Sequence, residues 1–226
     1  MKNIIKKSAN FLTVFRILLV FCMLPLMFII LKAERESRET SLSLLFNLIF
    51  IIAAITDYLD GYIAKKFEQQ TVFGKFFDPI ADKLLVIITF FYIYLLSTHK
   101  LLLPEKNDNK AIQTGIISIL IATIIRDFII TGVRLVAVEK KHIISASFLG
   151  KLKTVFTFIT IIFLLFVEQI YNLLWEPSLG LGLENILKIR YFINVLSGIN
   201  IFLIVGSGVF YIIKNFKFIR ENFEQN

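Results

Sequence analysis

The chain has 226 residues and a formal net charge of +8, from 25 Lys+Arg against 17 Asp+Glu; it is 57% hydrophobic, 14% aromatic and only 19% charged. A soluble domain is about 45–50% apolar and about 25% charged, so this balance excludes a disordered chain and argues against a water-solvated fold. The surplus apolar surface has to face lipid, and with 24 Phe spread from end to end no polar stretch is left for a separate soluble module.

Residues 1–226 therefore read as a single all-α domain, a polytopic bundle of six transmembrane helices after a short N-terminal juxtamembrane segment. A span needs about 20 mostly apolar residues. The candidates are 11–31, 42–59, 80–96, 112–137, 152–174 and 191–213. The first is longer than the apolar core of a signal peptide and lacks a small-x-small cleavage pattern, so it reads as a retained helix. The third is the least apolar at its start. Lys and Arg concentrate at the N-terminus, in the connections after spans 2 and 4, and in the C-terminal tail. By the positive-inside rule the termini and those connections are expected to be cytoplasmic, with the protein in the cell membrane.

The net positive charge does not point to nucleic acid, because no basic stripe is interleaved with a soluble aromatic motif; anionic headgroups account for it. Cys22 is the only cysteine, so no internal disulfide is possible, and a buried inert thiol is expected. The segment from Trp175 to Gly182 reads as an interfacial loop with Tyr171 and Trp175 at headgroup depth. His99 and His142 read as solvated loop residues.

The chemistry gathers where span 2 passes into span 3. Asp57, Asp60, Gly61 and Ala64 recur at three- and four-residue steps and so share one helix stripe, and Asp78 and Asp82 are four apart on the next helix. Taken singly, each is readable as a helix-end charge paired with Lys65, Lys66, Lys75 or Lys83, and such surface pairs contribute little. Four carboxylates converging at one membrane boundary would repel unless cations neutralise them. An all-oxygen donor set suits Mg²⁺ or Mn²⁺, and two ions about 4 Å apart are the usual arrangement for displacement at phosphorus. Gly61, Ala64 and Gly74 leave room for a phosphate-bearing ligand, or alternatively for close helix packing.

This stretch resembles the CDP-alcohol phosphatidyltransferase signature, D-x-x-D-G-x-x-A-R, eight residues, then G-x-x-x-D-x-x-x-D. It is matched here by Asp57, Asp60, Gly61, Ala64, Lys65, Gly74, Asp78 and Asp82 with every spacing kept and Lys65 in place of Arg. The resemblance implies six spans, a homodimer, two divalent ions, and transfer of a phosphatidyl group from a CDP-linked lipid to an alcohol with release of CMP. It implies Asp57, Asp60, Asp78 and Asp82 as metal ligands, with Asp82 also the base for the acceptor hydroxyl. Gly61, Ala64, Lys65 and Gly74 would receive the nucleotide, joined by Thr13.

Within that family the chain is similar to the bacterial branch that converts CDP-diacylglycerol and sn-glycerol 3-phosphate to phosphatidylglycerophosphate. The shared features are the lead-in Asn10-Phe11-Leu12-Thr13-Val14-Phe15-Arg16 and the start of span 5, Gly150-Lys151-Leu152-Lys153-Thr154. A dianionic acceptor needs cations, and Arg126, Arg134, Lys151 and Lys153 are the candidates. Ionisable groups in membrane helices are functional candidates by default, though Arg126 with Asp127 also reads as a packed charge pair. Inositol phosphate is the nearest rival acceptor; a divalent-cation transporter is the rival from another class.

Overall fold

The computed structural model describes residues 2–32, 37–66, 72–98, 109–139, 147–174, 182–216 and 220. They form α1 (Lys2–Lys32), α2 (Ser37–Lys66), α3 (Val72–Thr98), α4 (Asn109–Glu139), α5 (Phe148–Leu165), α6 (Val167–Leu174) and α7 (Gly182–Lys214), with no strand among them. Among the described residues five stretches are long and apolar enough to cross a membrane: Leu12–Lys32, Pro79–Thr98, Lys110–Ala137, Phe148–Leu165 and Leu187–Lys214. The second predicted span corresponds to the shorter apolar stretch Ser41–Asp57 within α2. The protein is thus an all-α, polytopic membrane protein. Its chain divides into two compact units, Met1–His99 and Lys100–Asn226.

In the first unit α1 packs against α2 and α3. The buried stripe of α1 runs through Thr13, Arg16, Val20, Met23, Met27 and Ile30, the alternating three- and four-residue step of one helix face. On the helices it packs against, Phe46, Phe50 and Ala53 of α2 and Ala81, Leu85, Tyr92 and Ile93 of α3 are likewise buried. Phe46 and Tyr92 lie with ring centroids 3.8 Å apart. Cys22 falls off this stripe and is exposed, not buried as the sequence had led us to expect. The reason is physical: on a helix bathed in lipid, apolarity marks the outward face as well as the inward one, as exposed Leu18, Phe21 and Phe28 on the same helix show.

In the second unit α7 is the central helix and packs on α4, α5 and α6. Gly115 of α4 makes room for Ser197 of α7, whose side chain would lie 3.4 Å from an added Cβ. Outward faces are strongly apolar; Phe128 and Phe202 are 75% and 76% exposed, which suits hydrocarbon and not water. The predicted fifth span, 152–174, is shorter than expected. α5 ends at Leu165, Phe166 takes φ −106° and ψ 7°, and its N–H still reaches the Ile162 carbonyl at 3.2 Å. α6 then resumes with Ile170 N–H donating to the Phe166 carbonyl at 2.9 Å. α6 places Glu168 and Gln169 between Val167 and Ile170, directly after the wholly apolar last turn of α5, residues 161–165.

Polar side chains join α5 to α7. Asn200, fully buried, donates from Nδ2 to Thr160 Oγ1 at 2.9 Å, and its Oδ1 lies 3.1 Å from the Thr157 hydroxyl. Such interhelical bonds contribute about 0.6 kcal/mol on average in membranes, up to about 1.7. Asn200→Leu is therefore expected to lower stability by about 1–2 kcal/mol, read as a lower melting temperature of the detergent-solubilised protein; an unchanged melt would show that these bonds do not hold α5 to α7. Of the residues read from sequence as loops, His99, His142 and 175–181 lie outside the described residues, as does the side chain of Tyr171, whereas Gly182, the last residue of the predicted interfacial loop, begins α7.

Candidate active site

Asp57 and Asp60 lie in the last three turns of α2, and Asp78 and Asp82 in the first three turns of α3. Five residues separate the two helices, so both acid-bearing ends stand at the same end of the first unit. Helical backbone therefore places Asp57, Asp60, Gly61 and Ala64 on one stripe, and Asp78 and Asp82 one turn apart on the other helix. The side chains of Asp60, Lys65 and Asp78 lie outside the described ones, as does the space around Gly61, Ala64 and Gly74. Asp57 and Asp82, both partly exposed, are the described half of the acid set. Among the described residues no three metal-ligating side chains come together.

The structure adds a partner for Asp57. Arg16 of α1 is completely buried, and its Nη1 lies 2.7 Å from Asp57 Oδ1. Thr13 stands one turn before Arg16 on the same buried face, at 1% exposure. Arg16 thus ties α1 to the acid-bearing end of α2 and helps orient a carboxylate whose side chain is 37% exposed. In sequence Arg16 stands only as part of the lead-in motif, with no partner indicated. The signal was available: a lone guanidinium inside an apolar helix needs an anion at its own depth, and Asp57 closes the apolar stretch of α2.

The donor chemistry of the acid set fits a hard divalent cation, since only oxygens are offered and no His or Cys belongs to it. Asp57, Asp60, Asp78 and Asp82 are the residues that would hold it.

The second unit carries a basic cluster. Asp127 of α4 accepts on Oδ1 from Arg126 Nη1 at 2.8 Å and from Lys153 Nζ of α5 at 3.5 Å. Lys153 is 6% exposed. One carboxylate between two cations leaves a net positive charge, and Asp127 orders both side chains. The first turn of α5 borders this cluster: Ser147 caps the helix with φ −78° and ψ 153°, its Oγ accepting from Gly150 N–H at 3.1 Å. A Cβ on Gly150 would lie 3.2 Å from Arg126 Nη2, and one on Gly208 of α7 would lie 3.2 Å from Arg126 Cγ. The Arg126 stem also walls an apolar cavity of about 500 Å³ between α4 and α7, lined by Ile125, Ile129, Ile204 and Val209 among others. That apolar wall directs the charged end away from it, toward Ser147 and Gly150. Farther along α4, Arg134 Nε donates to the Tyr211 hydroxyl at 3.4 Å, and its Cζ lies 5.7 Å from the centre of the Tyr211 ring. Lys151 is exposed.

Residues 6–186 match the family CDP-alcohol phosphatidyltransferase, a region that includes the four aspartates, Arg126, Arg134, Lys151 and Lys153. The chain belongs to the CDP-alcohol phosphatidyltransferase family. It is accordingly a transferase. A protein of Mycoplasma genitalium named CDP-diacylglycerol--glycerol-3-phosphate 3-phosphatidyltransferase is 40% identical over 175 residues, 72% of this chain and 66% of that protein. Proteins of the same name from Rickettsia typhi and Bacillus subtilis are 32% and 35% identical. The Rickettsia match covers 87% of this chain and 96% of the relative; the Bacillus match covers 67% and 68%. The family match accounts for the carboxylate spacing, and neither the Arg16–Asp57 pair nor the contacts of Gly208 and Tyr211 follow from the signature.

Proposed function

We propose that this phosphatidyltransferase moves the phosphatidyl group of CDP-diacylglycerol to sn-glycerol 3-phosphate, giving phosphatidylglycerophosphate and CMP. The observation that carries the reading is the shared name of relatives from separate bacteria, one of which is matched over 87% of this chain and 96% of its own length. Residues 1–226 act as one catalytic domain, functioning as a homodimer by resemblance to the family. The distribution of Lys and Arg supports a cell-membrane protein with termini and active site toward the cytoplasm.

Asp57, Asp60, Asp78 and Asp82 would hold two Mg²⁺ or Mn²⁺ ions, which would supply positive charge to neutralise the pyrophosphate and the departing CMP. Gly61, Ala64, Lys65 and Gly74 receive the cytidine diphosphate, and Thr13 borders it. Asp82 takes the proton of the acceptor hydroxyl as that oxygen bonds to the lipid-bearing phosphorus. The bond from that phosphorus to the bridging pyrophosphate oxygen breaks, and CMP leaves with the electron pair. Transfer at phosphorus asks for positioning and charge neutralisation more than covalent help, which is what a carboxylate set on two joined helix ends offers.

Arg126, Arg134, Lys151 and Lys153 bind the acceptor phosphate. Lys153 and Arg126, ordered by Asp127 and left with net positive charge, suit a dianion; a neutral alcohol such as serine would not require them. CMP release by the purified protein with CDP-diacylglycerol and a panel of glycerol 3-phosphate, inositol phosphate and serine tests the acceptor. Release is expected with glycerol 3-phosphate, and release with inositol phosphate alone would overturn the acceptor assignment while leaving the reaction class in place.

A further inference from the structure

We infer that α7 positions the acceptor-binding arginines: Tyr211 holds the Arg134 guanidinium in place, and Gly208 supplies the space through which the Arg126 side chain passes. The inference rests on the reading of those arginines as acceptor-phosphate ligands. Gly208 and Tyr211 are three residues apart and so lie on one face of α7, and the side chains they touch belong to two arginines eight residues apart on α4. Both lie beyond residue 186, where the family match ends.

Arg134 is exposed, and its long side chain has about 2 kcal/mol of rotamer freedom to lose when it engages a ligand. Tyr211 removes part of that freedom beforehand. It is 2% exposed, its own carbonyl accepts from Asn215 Nδ2 at 2.7 Å, and its hydroxyl and ring both meet the guanidinium. A rigid aromatic that engages a mobile arginine through two different contacts sets where the remaining N–H groups point, and ordering paid before binding lowers the cost of recognition. The Nε–hydroxyl bond leaves both terminal guanidinium nitrogens for a phosphate. Gly208 acts on Arg126 by absence. The Cβ of any other residue would stand 3.2 Å from Arg126 Cγ, tighter than ordinary contact, and would push the stem away from its present course. The guanidinium end is already placed, with Nη1 on Asp127 at 2.8 Å and Nη2 beside Gly150, so a displaced stem disturbs where that guanidinium sits.

The test is steady-state CMP release with the acceptor and the donor varied separately, together with melting temperatures. Arg134→Ala is expected to raise KM for glycerol 3-phosphate roughly 10-fold or more, the loss of a charge-assisted hydrogen bond. Tyr211→Phe, which keeps the ring and removes the hydroxyl, is expected to raise it roughly 3- to 10-fold. Neither change is expected to alter KM for CDP-diacylglycerol, and for Tyr211→Phe kcat should stay within about twofold. Tyr211→Phe should add nothing in the Arg134→Ala background. Gly208→Ala should raise the acceptor KM, whereas Gly206→Ala, with nothing within 4 Å of the added carbon, should not. If Arg134→Ala raises the acceptor KM while Tyr211→Phe and Gly208→Ala leave it at the parent value, the positioning role is wrong and the acceptor site stands. A lowered melting temperature and kcat with no change in acceptor KM would make the α7 contacts structural only and would also overturn the inference. If Arg134→Ala leaves the acceptor KM unchanged, the acceptor site fails and the inference falls with it.

Discussion

Asp82→Asn is expected to lower turnover by roughly 10²- to 10⁴-fold, the range a positioned general base contributes, while the protein still folds and inserts. Asp82 is partly exposed on α3, and its neighbours Ala81 and Leu85 carry the packing of that segment at 0% exposure. A carboxamide fills the same volume and retains hydrogen-bonding capacity, but it does not take a proton from an acceptor hydroxyl and is a poorer ligand for a hard cation. The comparison is CMP release per mole of purified protein against the parent, with circular dichroism and melting temperature as the fold controls. Turnover within a few-fold of the parent would remove Asp82 from the chemistry.

Asp57→Asn is expected to differ in kind, because it disturbs both the chemistry and the scaffold. Turnover should collapse by a similarly large factor, since one of the four carboxylates proposed to hold the metal is gone. In addition the substitution withdraws the negative charge that lies 2.7 Å from a guanidinium at 0% exposure. Removing one partner of a fully buried ion pair costs about 3–5 kcal/mol; Asp57 is 37% exposed, so water offsets part of this and a loss of about 2–3 kcal/mol is expected here. Asp82→Asn should therefore melt close to the parent and Asp57→Asn clearly below it. Equal melting temperatures for the two variants would show that the Arg16–Asp57 pair does not contribute to holding α1 against α2.

Those two residues also mark what the sequence made legible. Asp57, Asp60, Asp78 and Asp82 stand out because fixed helical spacing survives without tertiary information: steps of three and four place side chains on one stripe in any α-helix. The start of α5 was legible for the same kind of reason, since Gly150, Lys151, Lys153 and Thr154 form a local motif. The partner of Arg16 was not, because residues 16 and 57 belong to different helices and no local pattern pairs them. Arg134 with Tyr211, 77 residues apart, is the same case. Gly208 reads in sequence as one more small residue in an apolar span, and its meaning comes only from the arginine that crosses it. Burial was poorly legible throughout. In a lipid-facing helix the hydrophobic pattern no longer separates inside from outside, which is why Cys22 turned out exposed and why 152–174 read as one span although α5 ends at Leu165 and α6 carries Glu168 and Gln169.

The central claim is that two joined helix ends gather carboxylates which bind divalent cations for transfer from a CDP-linked lipid. Its most direct test is CMP release by the purified protein from CDP-diacylglycerol and glycerol 3-phosphate, before and after chelation with EDTA. Release should stop on chelation, return on adding Mg²⁺ or Mn²⁺, and stay absent in Asp78→Asn at the same metal concentration. Undiminished CMP release in the presence of excess chelator, or full activity of Asp78→Asn, would contradict the account.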